Sequence, residues 1–312
     1  MFYIMSKILV SGGAGFIGSN LVDKLVDLGH QVVVIDNLFS GKKEYLNPQV
    51  KFYQVDINDN DKVSDIFSEE KFDYVYHLAA QIDVRRSVDD PVLDNQINII
   101  GALNILKNCC DYKVKKIMFA SSGGAIYGFP EKIPTPENYP TYPVSPYGIN
   151  KLSFEKYLNY YYKVYGQPYI AFRLANVYGP RQYKGGEAGV VSIFINNIVN
   201  DKVSYIYGDG FQTRDYIFVD DVVRAFISGL DNDIQGEFNI GTGVEKNLLD
   251  IIFAIESADG SKMKIEYLSP KAGEERNSCL DCSKAKLILK WEPKVDLNTG
   301  IDLTIKWTKS IK

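Results

Sequence analysis

The chain is poor in the residues that build metal centres and disulfide frameworks. Among 312 residues there are only two histidines, His30 and His77, so a histidine-rich metal site is excluded and a Ser-His triad has almost no candidates. The four cysteines are Cys109, Cys110, Cys279 and Cys282. Adjacent Cys109 and Cys110 bridge poorly, and a lone Cys-x-x-Cys makes a poor zinc site, so all four read as thiols of a reducing cytoplasm. No apolar run approaches the length that spans a bilayer, and no charged segment followed by an apolar one and a cleavage site opens the chain. An excess of positive charge is missing too. Net charge is −4 and the pI about 5.4, which argues against nucleic acid and anionic membrane as partners. Any phosphate bound must be held by local groups.

Hydrophobic residues make up 46% and charged residues 24%, a balance that lets a chain of this length bury a substantial core. Short β-branched runs alternate with longer amphipathic stretches through the first half. Strands are predicted at Lys7–Val10, Val32–Ile35, Lys51–Val55, Tyr74–His77, Lys116–Ala120 and Tyr169–Leu174. Helices are predicted between them at Ile17–Leu28, Asp61–Ser68, Pro91–Cys110 and Pro146–Tyr165. This alternation implies an α/β fold of Rossmann type, a doubly wound parallel sheet with helices on both faces. Beyond about Tyr178 the pattern loosens into glycine-rich loops, Tyr183–Gly189 and Tyr207–Arg214. A short return to the sheet is expected around Asp215–Asn239, and a smaller C-terminal substrate-binding lobe from Lys246 onward.

The strongest local signal is Lys7-Ile-Leu-Val-Ser-Gly-Gly-Ala-Gly-Phe-Ile-Gly-Ser, an apolar strand entering a loop with Gly12, Gly15 and Gly18 and leaving it as a helix. Glycine there permits a tight turn, close approach of backbone to a pyrophosphate, and close helix–strand packing. The helix start, with Phe16 and Ile17, supplies free N–H groups and a positive dipole end. The next strand ends in Asp36-Asn37, where a carboxylate accepts from ribose hydroxyls and repels a 2′-phosphate; no arginine follows, so NAD is favoured over NADP. Asp56 and Ile57, after the third strand, are expected near the adenine.

Tyr147 and Lys151 lie four residues apart on one helical face, with Ser145 suited to cap that helix and Pro146 to its first turn. A tyrosine titrates near pH ~10, and a nearby ammonium and an oxidised nicotinamide both favour the phenolate. Tyr147 is therefore the candidate base for a sugar hydroxyl. The same spacing at Tyr3/Lys7, Tyr112/Lys116 and Tyr267/Lys271 carries no weight, because none of these follows the fifth strand and its serine loop.

Six blocks occur in family order: Ser11-Gly-Gly-Ala-Gly-Phe-Ile-Gly-Ser, His77-Leu-Ala-Ala-Gln, Ser121-Ser-Gly-Gly-Ala-Ile-Tyr-Gly, Tyr147-x-x-x-Lys151, Arg173-Leu-Ala-Asn-Val-Tyr-Gly-Pro-Arg181 and Gly208-Asp-Gly-Phe-Gln-Thr-Arg-Asp-Tyr. Together they resemble the extended short-chain dehydrogenase/reductase family, and within it the UDP-glucose 4-epimerase group. That resemblance implies residues 1–175 with about 215–244 as an NAD-binding Rossmann domain, and about 176–214 with 245–312 as a nucleotide-sugar-binding lobe. It implies that Leu78, Ala79, Ala80 and Gln81 line the nicotinamide side, with Asn98 near and Ser121, Tyr147 and Lys151 completing the wall. Asn176 would bond the substrate diphosphate and Arg214 supply its main positive charge. Lys271 and Glu274 would hold the second phosphate and the uridine ribose, Lys271 standing where the family usually has arginine. A homodimer through the helices Pro91–Cys110 and Pro146–Tyr165 is implied as well.

Two departures bear on the reaction. The usual catalytic Ser or Thr position falls on Gly123, leaving Ser122 as the expected replacement and Ser121 as the alternative. Related dehydratases and decarboxylases resemble one another in carrying acids one to three positions before the Tyr-Gly, where this chain has Gly124, Ala125 and Ile126. A dehydratase needs such an acid for the departing hydroxyl, whereas an epimerase does not. The expected activity is therefore 4-epimerisation of a UDP-hexose through a transient 4-keto sugar with tightly bound NAD. Ser278 falls on the position that gates the sugar pocket in the epimerase group, and its small size predicts room for UDP-GlcNAc beside UDP-glucose. The alternatives are a UDP-glucuronate 4-epimerase, with Arg181 and Arg85 near the C6 carboxylate, or another nucleotide-sugar epimerase or dehydratase of the same family. An NAD-binding sensor without turnover is the alternative of another class.

Overall fold

A computed structural model describes residues 5–182, 189–230, 234–270 and 276–312. Its strands are β1 (Lys7–Ser11), β2 (Gln31–Asp36), β3 (Lys51–Gln54), β4 (Tyr74–His77), β5 (Lys116–Ser122), β6 (Tyr169–Leu174), β7 (Asn176–Tyr178), β8 (Val203–Tyr207), β9 (Thr213–Phe218), β10 (Gly236–Ile240), β11 (Glu245–Asn247) and β12 (Lys264–Leu268). Seven of them form one sheet in the order β10-β6-β5-β4-β1-β2-β3, with every neighbour parallel. This is the Rossmann order, in which the chain reverses direction beside β1 and opens a crevice at the strands' C-terminal ends.

Alternation along each strand explains the layers. Ile8, Val10, Val32, Val34, Tyr76 and Phe172 face one core, which is closed by the helices Phe16–Asp27, Val190–Val199, Val219–Ser228 and Leu297–Ser310. Leu9, Val33, Ile35, Val75, Ile117 and Phe119 face the other, where Phe67, Ile105, Phe154 and Leu158 reach down from the helices Asn60–Glu70, Ala102–Asp111 and Pro146–Tyr165. A sheet covered on both faces needs apolar residues at every register, which is why its strands read as continuous runs rather than alternating ones.

The six predicted strands are present, ending within two residues of the expected bounds. Two expectations are corrected. Helix Pro91–Cys110 is not one α-helix: an α-turn at Pro91–Asn95 widens into a π-helical stretch at Gln96–Gly101 before α-helix resumes at Ala102–Asp111. Within this stretch Asn98 is buried and Gly101 packs against Ile57, where an added Cβ would lie 2.7 Å from Ile57 Cγ1. The return to the sheet is made by β10 alone, whereas β9 pairs with β7 and β11 in a separate three-stranded sheet. β8 and β12 form a further parallel pair. No helix among the described residues is long and apolar enough to cross a membrane.

Candidate active site

The glycine loop between β1 and the helix Phe16–Asp27 is shaped by close approach. Gly12 has φ 75°, and a Cβ on it would lie 2.6 Å from Ala79 N. A Cβ on Gly18 would lie 2.1 Å from Gly12 O, so only glycine lets the helix sit against the turn. The helix starts after Gly15 with no side chain capping it, leaving its first N–H groups open to a phosphate. Asp36 closes the loop from β2: its carboxylate accepts from Ala14 N at 3.0 Å and Leu38 N at 2.8 Å, which leaves lone pairs for ribose hydroxyls. Burial pushes its pKa up, against these two bonds. Exposed Asn37 donates to exposed Asp56 at 2.8 Å, while Ile57 is buried beneath Gly101. A cradle that a Cβ would fill, open N–H groups and a ribose-facing carboxylate together fit a dinucleotide with an unphosphorylated ribose.

Beyond β4, Leu78, Ala79 and Ala80 are half-buried along the crevice. Gln81 and Asn98 are bonded reciprocally, Gln81 N to Asn98 Oδ1 at 3.0 Å and Asn98 Nδ2 to Gln81 O at 2.9 Å. Both also donate to Asp94, a fully buried carboxylate that sequence reasoning missed. Its only sequence signal was a charge on the apolar side of a predicted helix. His77 at the end of β4 is buried, bonded to Ser11 Oγ at 2.7 Å and stacked on Phe119. Burial, with the Lys151 charge adding to it, pushes its pKa down to about 3, so the imidazole is neutral.

Ser145 Oγ accepts from Gly148 N at 3.1 Å and starts the helix Pro146–Tyr165 as the sequence predicts. Tyr147 is half-buried near its start. Lys151 is 4% exposed; its Nζ donates to Ala120 O at 2.9 Å and lies 5.7 Å from the centre of the Tyr147 ring. Burial pushes its pKa down to about 8, and the charges of Asp94 and Glu155 oppose that shift. One turn further on, Glu155 binds Arg173 of β6 at 2.7 Å. It also accepts from Ser121 Oγ at 2.6 Å. Arg173 donates in turn to Tyr127 Oη at 2.9 Å, and Tyr127 Oη donates to Asn239 Oδ1 at 2.8 Å. This buried chain behind the serine loop was not foreseen either, since Glu155 and Arg173 meet only once β5 and β6 pair.

The serine hydroxyl of Ser121 is therefore engaged with Glu155. Ser122 is half-buried at the crevice end of β5, and its hydroxyl makes no cap to the short helix Gly123–Ile126 that follows. Gly123 has its own explanation: a Cβ there would lie 2.5 Å from Leu280 Cδ1, so the Leu280 side chain fills the space of the usual Ser or Thr.

Across the crevice, Asn176 of β7 lies beside Tyr216 of β9, two residues along the same face from Arg214. Arg214 Nη1 donates to Thr213 O at 2.7 Å, and Ser278 N donates to the same carbonyl at 3.2 Å, which sets Ser278 beside β9. Arg276, also unforeseen, pairs with Asp209 at 2.9 Å nearby. Buried Asp215 ties the loops of this lobe together, accepting from Thr242 N at 2.8 Å and Leu280 N at 3.4 Å. Lys271 and Glu274 lie outside the described residues. Arg181 pairs with Asp23 of the first helix at 2.7 Å.

This geometry has known counterparts. The profile of the NAD dependent epimerase/dehydratase family matches residues 8–241. The chain belongs to this family. Among solved epimerases, a UDP-glucose 4-epimerase of Thermotoga maritima, determined with UDP-glucose, is 46% identical with a TM-score of 0.95, covering 98% of this chain and 99% of that one. A UDP-glucose 4-epimerase of Thermus thermophilus, determined with NAD, is 40% identical with a TM-score of 0.93, covering 97% and 99%. A UDP-N-acetylglucosamine 4-epimerase of Methanobrevibacter ruminantium, in complex with UDP-N-acetylmuramic acid, is 35% identical with a TM-score of 0.94, covering 99% and 100%.

Proposed function

We propose that the chain is an NAD-dependent UDP-hexose 4-epimerase. The observation that carries this reading is the Tyr147–Lys151 pair on one helix, with Lys151 bonded to Ala120 O of β5, together with the glycine cradle and no acid at positions 124–126. The cradle of Gly12, Gly15 and Gly18 with Asp36 would hold NAD, which when bound would supply the acceptor and donor of the C4 hydride. Tyr147 takes the proton of the sugar O4 as the C4 hydrogen leaves, and gives it back when that hydrogen returns to the opposite face. Lys151 favours the phenolate, and Ser122 donates to O4. Asn176 and Arg214 hold the diphosphate, joined by Lys271 and Glu274 toward the second phosphate and the ribose. Because the 4-keto sugar turns over between the two transfers, the phosphates must stay fixed while the ring is free.

The small Ser278 beside the Arg214 strand supports UDP-GlcNAc as a second substrate. Ser278→Tyr should then lower UDP-GlcNAc turnover at least tenfold while UDP-glucose turnover changes little, and equal losses on both would remove the gate. The Arg181–Asp23 pair weighs against UDP-glucuronate. Residues 1–175 with about 215–244 are read as the NAD-binding domain, and 176–214 with 245–312 as the sugar-binding lobe. Four free thiols are consistent with a cytoplasmic setting, and the apolar outer faces of two neighbouring helices with a homodimer.

Purified protein incubated without added NAD with UDP-glucose, UDP-GlcNAc or UDP-glucuronate, followed by the NMR signals of the anomeric protons, tests the proposal. Appearance of the C4 epimer is the expected result. No change with any of the three, even after NAD is added, would overturn it.

A further inference from the structure

Beyond Ser122 the backbone is loose by composition. Gly123 and Gly124 follow it, and a Cβ on Gly124 would meet nothing within 4 Å, so this turn does not hold its own direction. It is held from outside. The Leu280 side chain closes on Gly123, where an added Cβ would lie 2.5 Å from Leu280 Cδ1, and it packs with Ile126 and Tyr127 in a small buried cluster. Tyr127, 3% exposed, ends the segment. Its hydroxyl is bonded on both sides, Oη accepting from Arg173 Nη1 at 2.9 Å and donating to Asn239 Oδ1 at 2.8 Å. Burial pushes the Tyr127 pKa up to about 12, so the phenol stays a donor.

Each partner is fixed in turn. Arg173 Nη2 meets Glu155 Oε2 at 2.7 Å, and Arg173 Nε bonds Glu155 Oε1 at 3.1 Å. A buried ion pair adds little net stability, because desolvation offsets the attraction; what its fork fixes is direction. Glu155 lies one turn beyond Lys151 on the Tyr147 helix, so the pair ties Tyr127 to that helix. Asn239, in β10, donates from Nδ2 to Thr135 O at 2.9 Å and to Asp281 O at 3.2 Å, which ties it to the stretch carrying Leu280. On the Tyr127 hydroxyl, therefore, the Tyr147 helix, the sheet and the Leu280 stretch all converge.

We propose that Tyr127 is a positioning residue: its buried hydroxyl, gripped by Arg173 and Asn239, holds the segment after Ser122 so that the Ser122 hydroxyl stays at the sugar O4. The inference rests on the epimerase reading for its effect on turnover. Both sides of the phenol oxygen are already taken, so Tyr127 acts on the reaction only through Ser122. The Ser121 hydroxyl does not do the same task. Ser121 lies within β5, opposite Arg173 in the ladder, so backbone bonds hold its place whether or not it reaches Glu155. Tyr127 lies beyond the ladder, and side-chain bonds hold it.

Tyr127→Phe removes the hydroxyl and keeps the ring. It should lower kcat about tenfold with the KM for UDP-glucose unchanged, whereas in a Ser122→Ala background the same change should cost less than about twofold. Equal losses in the two backgrounds, or none in the parent, would overturn the proposal. Tyr169→Phe is the control, removing another hydroxyl from the sheet, one that donates to Glu237 at 2.8 Å; its kcat should match the parent, and a loss equal to that of Tyr127→Phe would also overturn the proposal. A second measurement needs no substrate, so it stands apart from the epimerase reading: hydrogen–deuterium exchange of the peptide 121–128. Tyr127→Phe should speed exchange there about tenfold and leave the helix Asn60–Glu70 at the parent's rate. Unchanged exchange at 121–128, or an equal rise in both segments, would mean that the hydroxyl is merely structural and the proposal is wrong. If the parent turns over no UDP-sugar, the epimerase reading fails, and the exchange result alone judges the hold on the segment.

Discussion

Ser121 and Ser122 are neighbours in sequence with opposite surroundings. The Ser121 hydroxyl is spent on Glu155, while Ser122 stands at the crevice end of β5. Ser122→Ala should cut kcat about a hundredfold with folding intact, the order expected for a group that stabilises charge on O4. Ser121→Ala should leave turnover within a few-fold and cost about 1–3 kcal/mol of stability, because Glu155 loses a buried donor. Steady-state kinetics and thermal unfolding of both variants decide between the serines. His77 gives a pH signature. Its pKa falls from 6.5 to about 3 through burial, so below pH 6.5 the unfolded chain takes up a proton that the folded one refuses. Stability contributed by this group is complete above 6.5 and is lost as pH falls, with a slope up to about 1.4 kcal/mol per pH unit. His30, also lowered by burial, acts in the same direction. In denaturant titrations between pH 4.5 and 6.5, both read as approximate bounds of the window, His77→Gln should flatten that slope. An unchanged slope would mean that His77 is protonated in the fold.

At the scale of elements, the glycine turn and the capped helix behind Tyr147 were legible because both are local. A strand, three glycines and a Ser-Pro helix start are decided by backbone geometry within a few residues. Gly18 in this turn and Gly124 after β5 make a sharp contrast. Gly18→Ala places a methyl 2.1 Å from Gly12 O, so the protein should purify without NAD, read from its absorbance ratio, and melt several degrees lower. Gly124→Ala meets nothing within 4 Å and should match the parent in both readouts. Retained NAD in Gly18→Ala would show that the loop yields. The π-helical stretch was not legible. Its apolar residues read as helical on both sides, and no local signal in the sequence marks where the turn widens.

For the molecule as a whole, the outer faces of the helices at Pro91–Asp111 and Pro146–Tyr165 expose Val92, Ile100, Ile149, Tyr157, Tyr160 and Val164. On the second helix Ile149, Tyr157, Tyr160 and Val164 recur at helical spacing and make one stripe. A second copy would cover it. Light scattering should give twice the chain mass, and Ile149→Glu/Tyr160→Glu should give a monomer that still folds. A monomeric parent would remove the dimer.

What the sequence determined alone is the set of choices made over short distances: a parallel sheet with both faces apolar, the glycine turn, Asp36 at the end of β2, and Tyr147 with Lys151 on one helical face. Each follows from a period, a cap or a turn, and needs no knowledge of what lies across the fold. Tertiary structure decided what required two distant segments to meet. Ser121 was assigned to Glu155 by the packing of the helix Pro146–Tyr165 on β5, and Gly123 was explained by Leu280, more than half the chain away. Arg181 was paired with Asp23 of the first helix. The buried Glu155–Arg173 pair emerged the same way, because burial and pairing are properties of the assembled core and leave no periodic trace along the chain.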